Sequence, residues 1–168
     1  MRKLFFFFAL VVSLITVAVS CKKSQNLDEL RNEELRLLKE YVETNKITVE
    51  PTSTGLYYLE TEVGTGDSIH AGDRVKIFYT GMFIDSTIFD ASGYFEPFEF
   101  IVGSSDVITG MSEGLTYMKQ GGKATLIIPS NLAYGATNNY TLGIQRFATL
   151  IFDIEVYKHY KLTDTTTE

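Results

Sequence analysis

The chain has 168 residues, 45% hydrophobic and 21% charged, enough for one compact domain with some chain to spare. Its net charge of −6 and isoelectric point near 5.0 argue against a nucleic-acid partner. One cysteine, Cys21, excludes an internal disulfide framework and a cysteine-based metal cluster, and His70 and His159 have no ligand-like spacing, so neither metal nor cofactor is expected.

The chain opens with Arg2 and Lys3, continues as apolar sequence from Leu4 to Val19, and reaches small Ser20 and then Cys21. A basic start, an apolar core and a small-residue cleavage point make a secretory signal over residues 1–20. The apolar run falls short of the roughly 20 residues of a comfortable membrane span. Ala18-Val19-Ser20-Cys21 resembles a bacterial lipobox, with Ala18 where Leu is commoner. That resemblance implies cleavage before Cys21 and acylation of its thiol, hence a membrane anchor that does not span the bilayer and a place in the bacterial cell envelope, facing the periplasm. A buried thiol fits poorly, because Lys22, Lys23, Ser24 and Gln25 cannot continue a core.

Residues 21–50 form a lipidated linker and an amphipathic helix. The helix is expected over Asn26–Asn45, with Asn26 as N-cap and Asp28 and Glu29 in the first turn. Leu27, Leu30, Leu37 and Tyr41, with Leu35, Leu38 and Val42, recur at three- and four-residue steps; Arg31, Glu33, Glu34, Arg36, Lys39 and Glu40 fall on the other faces. This reads as a solvated spacer packed lightly on the domain, or alternatively as a self-association or partner helix.

Pro51 and Gly55 break the chain, and residues 51–160 carry the punctuation of a small β-rich domain. Strands are expected at Gly55–Val63, Arg74–Thr80, Phe98–Val102, Lys123–Pro129 and Ala148–Lys158. One helix is expected at Asp106–Lys119, capped by Asp106 and ended by Gly121-Gly122. Residues 161–168 form a polar tail. Strands, one helix, then strands is an α+β order, an antiparallel sheet wrapped on one short helix.

Several segments, in order, resemble the FKBP family of peptidyl-prolyl cis/trans isomerases. They are Phe78-Tyr79-Thr80-Gly81, Ile88-Phe89-Asp90-Ala91-Ser92, Pro97-Phe98-Glu99-Phe100 and Val107-Ile108-Thr109-Gly110, then Ala133-Tyr134-Gly135-Ala136-Thr137 and Ala148-Thr149-Leu150-Ile151-Phe152-Asp153. The resemblance spans about Ser53 to Lys158 and implies a curled antiparallel sheet with a pocket between its concave face and one short helix. It implies substrate-binding roles for Phe89, Phe98, Val107, Met111, Ile144 and Phe152. It assigns Ile108 (backbone N–H) and Tyr134 (hydroxyl) to substrate carbonyls, and places Asp90 at the rim, hydrogen-bonded to Tyr79. Implied ligands are proline-containing segments of exported proteins and FKBP-directed macrolides.

Those residue types suit the chemistry. An Xaa–Pro bond turns slowly, behind a barrier of about 18–20 kcal/mol, because twisting destroys amide resonance. The planar amide is more charge-separated than the twisted one, so an apolar, water-poor pocket favours the twisted form. This is differential binding of the transition state, and it needs no nucleophile or metal. No Ser-His-Asp or Cys-His set is visible, and Gly64-Thr65-Gly66 is a turn and not a phosphate loop.

The chain departs from the family pattern at Met111, where Trp is usual, and Met offers a more flexible wall. Tyr94 and Phe95 make the rim unusually aromatic, either as a docking surface or tucked into a loop core. The segment Asn138–Phe147 lacks the family's prolines, which predicts a more mobile flap. Two further roles fit the same fold: a non-catalytic peptide-binding module or holdase, and a structural lipoprotein docked through its N-terminal helix.

Overall fold

In the computed structural model, which describes residues 26–162, apolar residues alternate along long strands and so divide a single sheet into two buried faces. The expected signal at residues 1–20, Cys21 and residues 163–168 of the tail lie outside the described residues. In chain order the elements are helix α1 (26–44), β1 (Tyr57–Glu62), β2 (Arg74–Phe83), β3 (Ile88–Ala91), β4 (Phe98–Ile101), α2 (Thr109–Thr116), β5 (Lys123–Ile128) and β6 (Leu150–Tyr160). All pairings are antiparallel, in the order β1-β5-β6-β2-β3, and β4 pairs with the other end of β2. The expected α+β architecture is thus present: a six-stranded antiparallel sheet, one short helix across it and an N-terminal helix before it. Among the described residues no helix is long and apolar enough to cross a membrane.

The main core lies between the concave face and α2. Val75 and Ile77 of β2, Leu126 and Ile128 of β5, and Ile154 and Val156 of β6 bury against Met111 and Leu115 of α2. Glycines let α2 approach closely: a Cβ at Gly110 would overlap Ile128, and one at Gly114 would overlap Leu126. The helix is shorter than the expected Asp106–Lys119. Asp106 does not cap it; Ser104 Oγ donates to Asp106 Oδ2 at 2.9 Å, and extended Ile108 takes the N-cap position without a side-chain bond. At the other end Tyr117 and Met118 turn off the axis, donating to Gly114 and Leu115 carbonyls.

The strand Ile88–Ala91 was not expected. It pairs Thr80–Met82 of β2 through a register shift, and it sets Asp90 opposite Gly81.

The helix α1 does not pack lightly. It lies on the back of the sheet, where Leu38 joins Ile127 and Ile151 in a second cluster flanked by Tyr41, Val42, Tyr57 and Met82. Burying one such leucine contributes about 1.5–3 kcal/mol. The expected stripe is rotated: Leu30, Leu35 and Leu37 remain exposed, whereas Glu34, expected on a solvated face, is 4% exposed. The Glu34 carboxylate accepts from Ser130 N at 2.6 Å, Ser130 Oγ at 2.7 Å and Thr149 Oγ1 at 3.2 Å. A carboxylate with three donors tolerates burial, so helical periodicity of apolar residues alone misplaces this face.

Candidate active site

Residues from four strands, α2 and the neighbouring loops converge on a pocket of about 170 Å³ at the mouth between α2 and the sheet. Tyr79 reaches it from β2, Phe89 and Asp90 from β3, Phe98 from β4, and Phe152 from β6. Val107 and Ile108 enter from the extended segment before α2, Met111 from its first turn, and Tyr134 from the loop after β5. The rings hold one another edge-on or tilted: Tyr79 lies 6.0 Å from Phe98 and 5.9 Å from Phe152, and Phe89 lies 5.6 Å from Phe152. Such contacts suit aromatic quadrupoles and fix ring planes without filling the space between them. Gly81 permits this convergence, since a Cβ there would stand 2.8 Å from Phe89 Cζ and 2.9 Å from Phe152 Cε1.

The pocket's edge is polar and ordered. Tyr79 Oη donates to Asp90 Oδ2 at 2.7 Å, and Ala91 N donates to Asp90 Oδ1 at 3.0 Å, so each carboxylate oxygen has a partner. Burial raises the Tyr79 phenol above its ordinary range, and the hydrogen bond to Asp90, the Asp90 charge and neighbouring Tyr134 add to the effect. Tyr79 is therefore a neutral donor at any physiological pH. Among the described residues, neither the Ile108 N–H nor the Tyr134 hydroxyl donates to another protein group. Two donors thus border an aromatic pocket with their bonds unspent.

A family model described as FKBP-type peptidyl-prolyl cis-trans isomerase matches residues 66–157. The chain belongs to the FKBP family. The isomerase FkpA of Buchnera aphidicola (from Acyrthosiphon pisum) is 42% identical over 108 residues, covering 64% of this chain and 44% of that protein. The 22 kDa FKBP-type isomerase of Escherichia coli K12 is 41% identical over 119 residues, covering 69% of this chain and 56% of that protein. The chain therefore spans about half the length of these curated relatives. The crystal structure of Escherichia coli FkpA superposes with a TM-score of 0.71 at 32% identity, over 92% of this chain and 72% of that one.

Against the FKBP pattern, nine of the ten expected pocket residues come together, and Ile144 does not. Ile144 is 2% exposed and buried in the main core; its backbone closes a small hairpin with Asn139 through bonds of 2.8 and 2.9 Å. Leu142, at the tip of that hairpin, lines the pocket instead, as does Asp106. The hairpin thus places Leu142 at the pocket and Ile144 in the core, and no local pattern in Asn139–Ile144 announces it. Met111 stands where expected, buried and lining the pocket. The segment without prolines is knit by other bonds: Arg146 N to Asn138 Oδ1 at 2.9 Å and Phe147 N to the Gly135 carbonyl at 2.7 Å.

Tyr94 and Phe95 are 87% and 86% exposed and stack edge-on at 4.6 Å, which answers whether they tuck into the loop. Tyr94 does not rim the pocket. It borders an open groove of about 620 Å³ on the back of the sheet, with Phe78, Thr80, Thr125 and Asp153.

Proposed function

We propose that this chain is a working peptidyl-prolyl cis/trans isomerase that assists the folding of exported proteins. The observation that carries this is an aromatic pocket bordered by the Tyr79–Asp90 pair and by two donors without protein acceptors. In this reading Phe89, Phe98, Phe152, Val107 and Met111 receive the prolyl ring, with Leu142 in the place expected for Ile144. The Ile108 N–H and the Tyr134 hydroxyl hold the flanking carbonyls. Asp90, kept in place by Tyr79, sits beside the carbonyl carbon of the twisting bond. The apolar wall withdraws water from the amide, so the planar form loses solvation that the twisted form needs less.

The chain's first residues complete the proposal. Residues 1–20 act as a lipoprotein signal and Cys21 carries the lipid, so that the linker and helix of residues 21–50 hold the 51–160 isomerase domain at a membrane surface in the cell envelope. Support comes from the basic start, the apolar run and the small residues before Cys21. FKBP-directed macrolides are expected to compete for the same pocket.

The test is exchange NMR on a proline tetrapeptide with micromolar protein, repeated with a macrolide. Exchange faster than in buffer, suppressed by the macrolide, supports the assignment; no gain over buffer rejects it. A second reading, a non-catalytic holdase, is favoured by exposed Tyr94 and Phe95. It would show as suppressed aggregation of an unfolded client with no exchange enhancement.

A further inference from the structure

The geometry points to Glu34, on the N-terminal helix, as a positioning residue for the loop that carries Tyr134. This rests on the role of Tyr134 proposed above and adds a control element from outside the pocket.

Glu34 is far from the loop in sequence, yet it binds both of its ends. Ser130 stands where the chain leaves β5 and Thr149 where it enters β6; the intervening segment, 131–148, overhangs the pocket. Glu34 Oε1 accepts from Ser130 N at 2.6 Å and Thr149 Oγ1 at 3.2 Å, and Oε2 accepts from Ser130 Oγ at 2.7 Å. All three residues are buried, at 4%, 1% and 4% exposure. Arg31 Nε approaches Oε2 at 3.7 Å from the rim and supplies a counter-charge.

The bonds continue inward from these anchors. The Ser130 carbonyl accepts from Ala133 N at 2.9 Å and from Gly135 N at 2.8 Å, the two neighbours of Tyr134. The Gly135 carbonyl then accepts from Phe147 N at 2.7 Å, two residues before Thr149. Glu34, Ser130, Gly135, Phe147 and Thr149 thus close a ring of hydrogen bonds and short chain segments around Tyr134. Removing the carboxylate leaves two hydroxyls and one N–H buried without an acceptor, and the backbone beside Tyr134 relaxes to recover them. Apart from Leu142, the apolar wall stands on β3, β4, β6, α2 and the segment before α2, outside this ring. Loss of Glu34 therefore lowers kcat more than it raises KM.

The experiment measures kcat and KM on a proline tetrapeptide, with amide exchange at Ala133, Gly135 and Phe147, in the wild type, Glu34→Ala, Glu34→Gln and Tyr134→Phe. Val75→Ala, a buried change at the opposite end of β2, matches a stability loss remote from the loop. Glu34→Ala is expected to lower kcat by about five- to tenfold with KM within about twofold, a displacement effect, and to speed exchange at Gly135 and Phe147. Glu34→Gln rescues both: its amide oxygen accepts from Ser130 N and its amide nitrogen donates to Ser130 Oγ. Val75→Ala leaves kcat unchanged while the protein stays folded.

If Glu34→Ala does not fold, Thr149→Val and Ser130→Ala each remove one bond of the ring and should shift kcat and exchange in the same direction by less. The inference is overturned if Tyr134→Phe loses activity while Glu34→Ala keeps wild-type kcat and exchange. It is also overturned if Val75→Ala lowers kcat as much as Glu34→Ala. A wild type without turnover rejects the isomerase assignment itself, and the positioning role with it.

Discussion

The phenol of Tyr79 donates to Asp90 Oδ2 at 2.7 Å, so an acid at the pocket edge is held by a neutral partner that burial keeps protonated. The bond crosses from β2 to β3, and its donor sits among the rings of Phe98 and Phe152. Replacing Asp90 by Ala removes the acid and leaves a half-buried phenol without an acceptor. A hydrogen bond to a charged group is worth about 1.5–3 kcal/mol, so Asp90→Ala should lower kcat/KM by roughly ten- to a hundredfold. Tyr79→Phe keeps the Ala91 N–H on Asp90 Oδ1 and should cost less. Exchange NMR on the two single variants and the double variant measures the coupling; strictly additive losses would show that the pair does not act as a unit.

Gly81 offers a test of pocket shape apart from its polar edge. An added methyl would meet Phe89 and Phe152 at 2.8 and 2.9 Å, so both rings that line the pocket would have to shift. Overpacking of this kind costs about 1–3 kcal/mol. Gly81→Ala should weaken binding of a proline-mimetic ligand by roughly five- to a hundredfold, with the sheet intact by circular dichroism. Unchanged affinity would mean that the rings yield away from the pocket.

Much of this site follows from patterns that act over short distances. Alternation along Arg74–Thr80 assigns Val75, Ile77 and Tyr79 to one face, and the ordered motifs from Phe78 to Asp153 identify the family and the Tyr79–Asp90 pair. What was not legible depends on contacts between distant segments. The strand β3 is four residues long with its ends exposed, too short for a periodic signal. Ile144 is buried in the core and Leu142 lines the pocket, on a hairpin closed by backbone bonds between Asn139 and Ile144. Glu34 sits in a run of helix charges that reads as solvated, and its partners Ser130 and Thr149 are about a hundred residues away in sequence.

The contact of α2 with β5 is set by two glycines four residues apart. A Cβ at Gly114 would overlap the Leu126 side chain, which is fully buried and has nowhere to go. Although alanine favours helices by up to about 1 kcal/mol over glycine, the overlap should outweigh that gain. Gly114→Ala is expected to lower stability by about 1–3 kcal/mol, read as a lower urea midpoint at unchanged slope. A variant more stable than the wild type would show that α2 can move off the sheet freely.

At the far end of the sheet Asp73 gives the fold an acid-sensitive fastening. Burial pushes its carboxyl upward, but three bonds outweigh that: His159 Nε2 at 2.8 Å, His70 N at 2.9 Å and Leu162 N at 3.0 Å, so the net shift is downward. A carboxyl whose folded pKa lies below its unfolded value of about 3.9 stabilises the fold above that pH, and the contribution fades as pH falls through the folded value. Asp73→Asn removes the charge, and at pH 7 it should cost about 2 kcal/mol. The gap between wild type and variant should begin to narrow as pH falls below about 4 and should close only once pH is below the folded value, where the wild-type carboxyl is neutral as well. Urea unfolding at pH 7, 5 and 3 measures it. A gap constant across that range would mean that Asp73 acts through shape and packing, with its charge making no difference to the fastening.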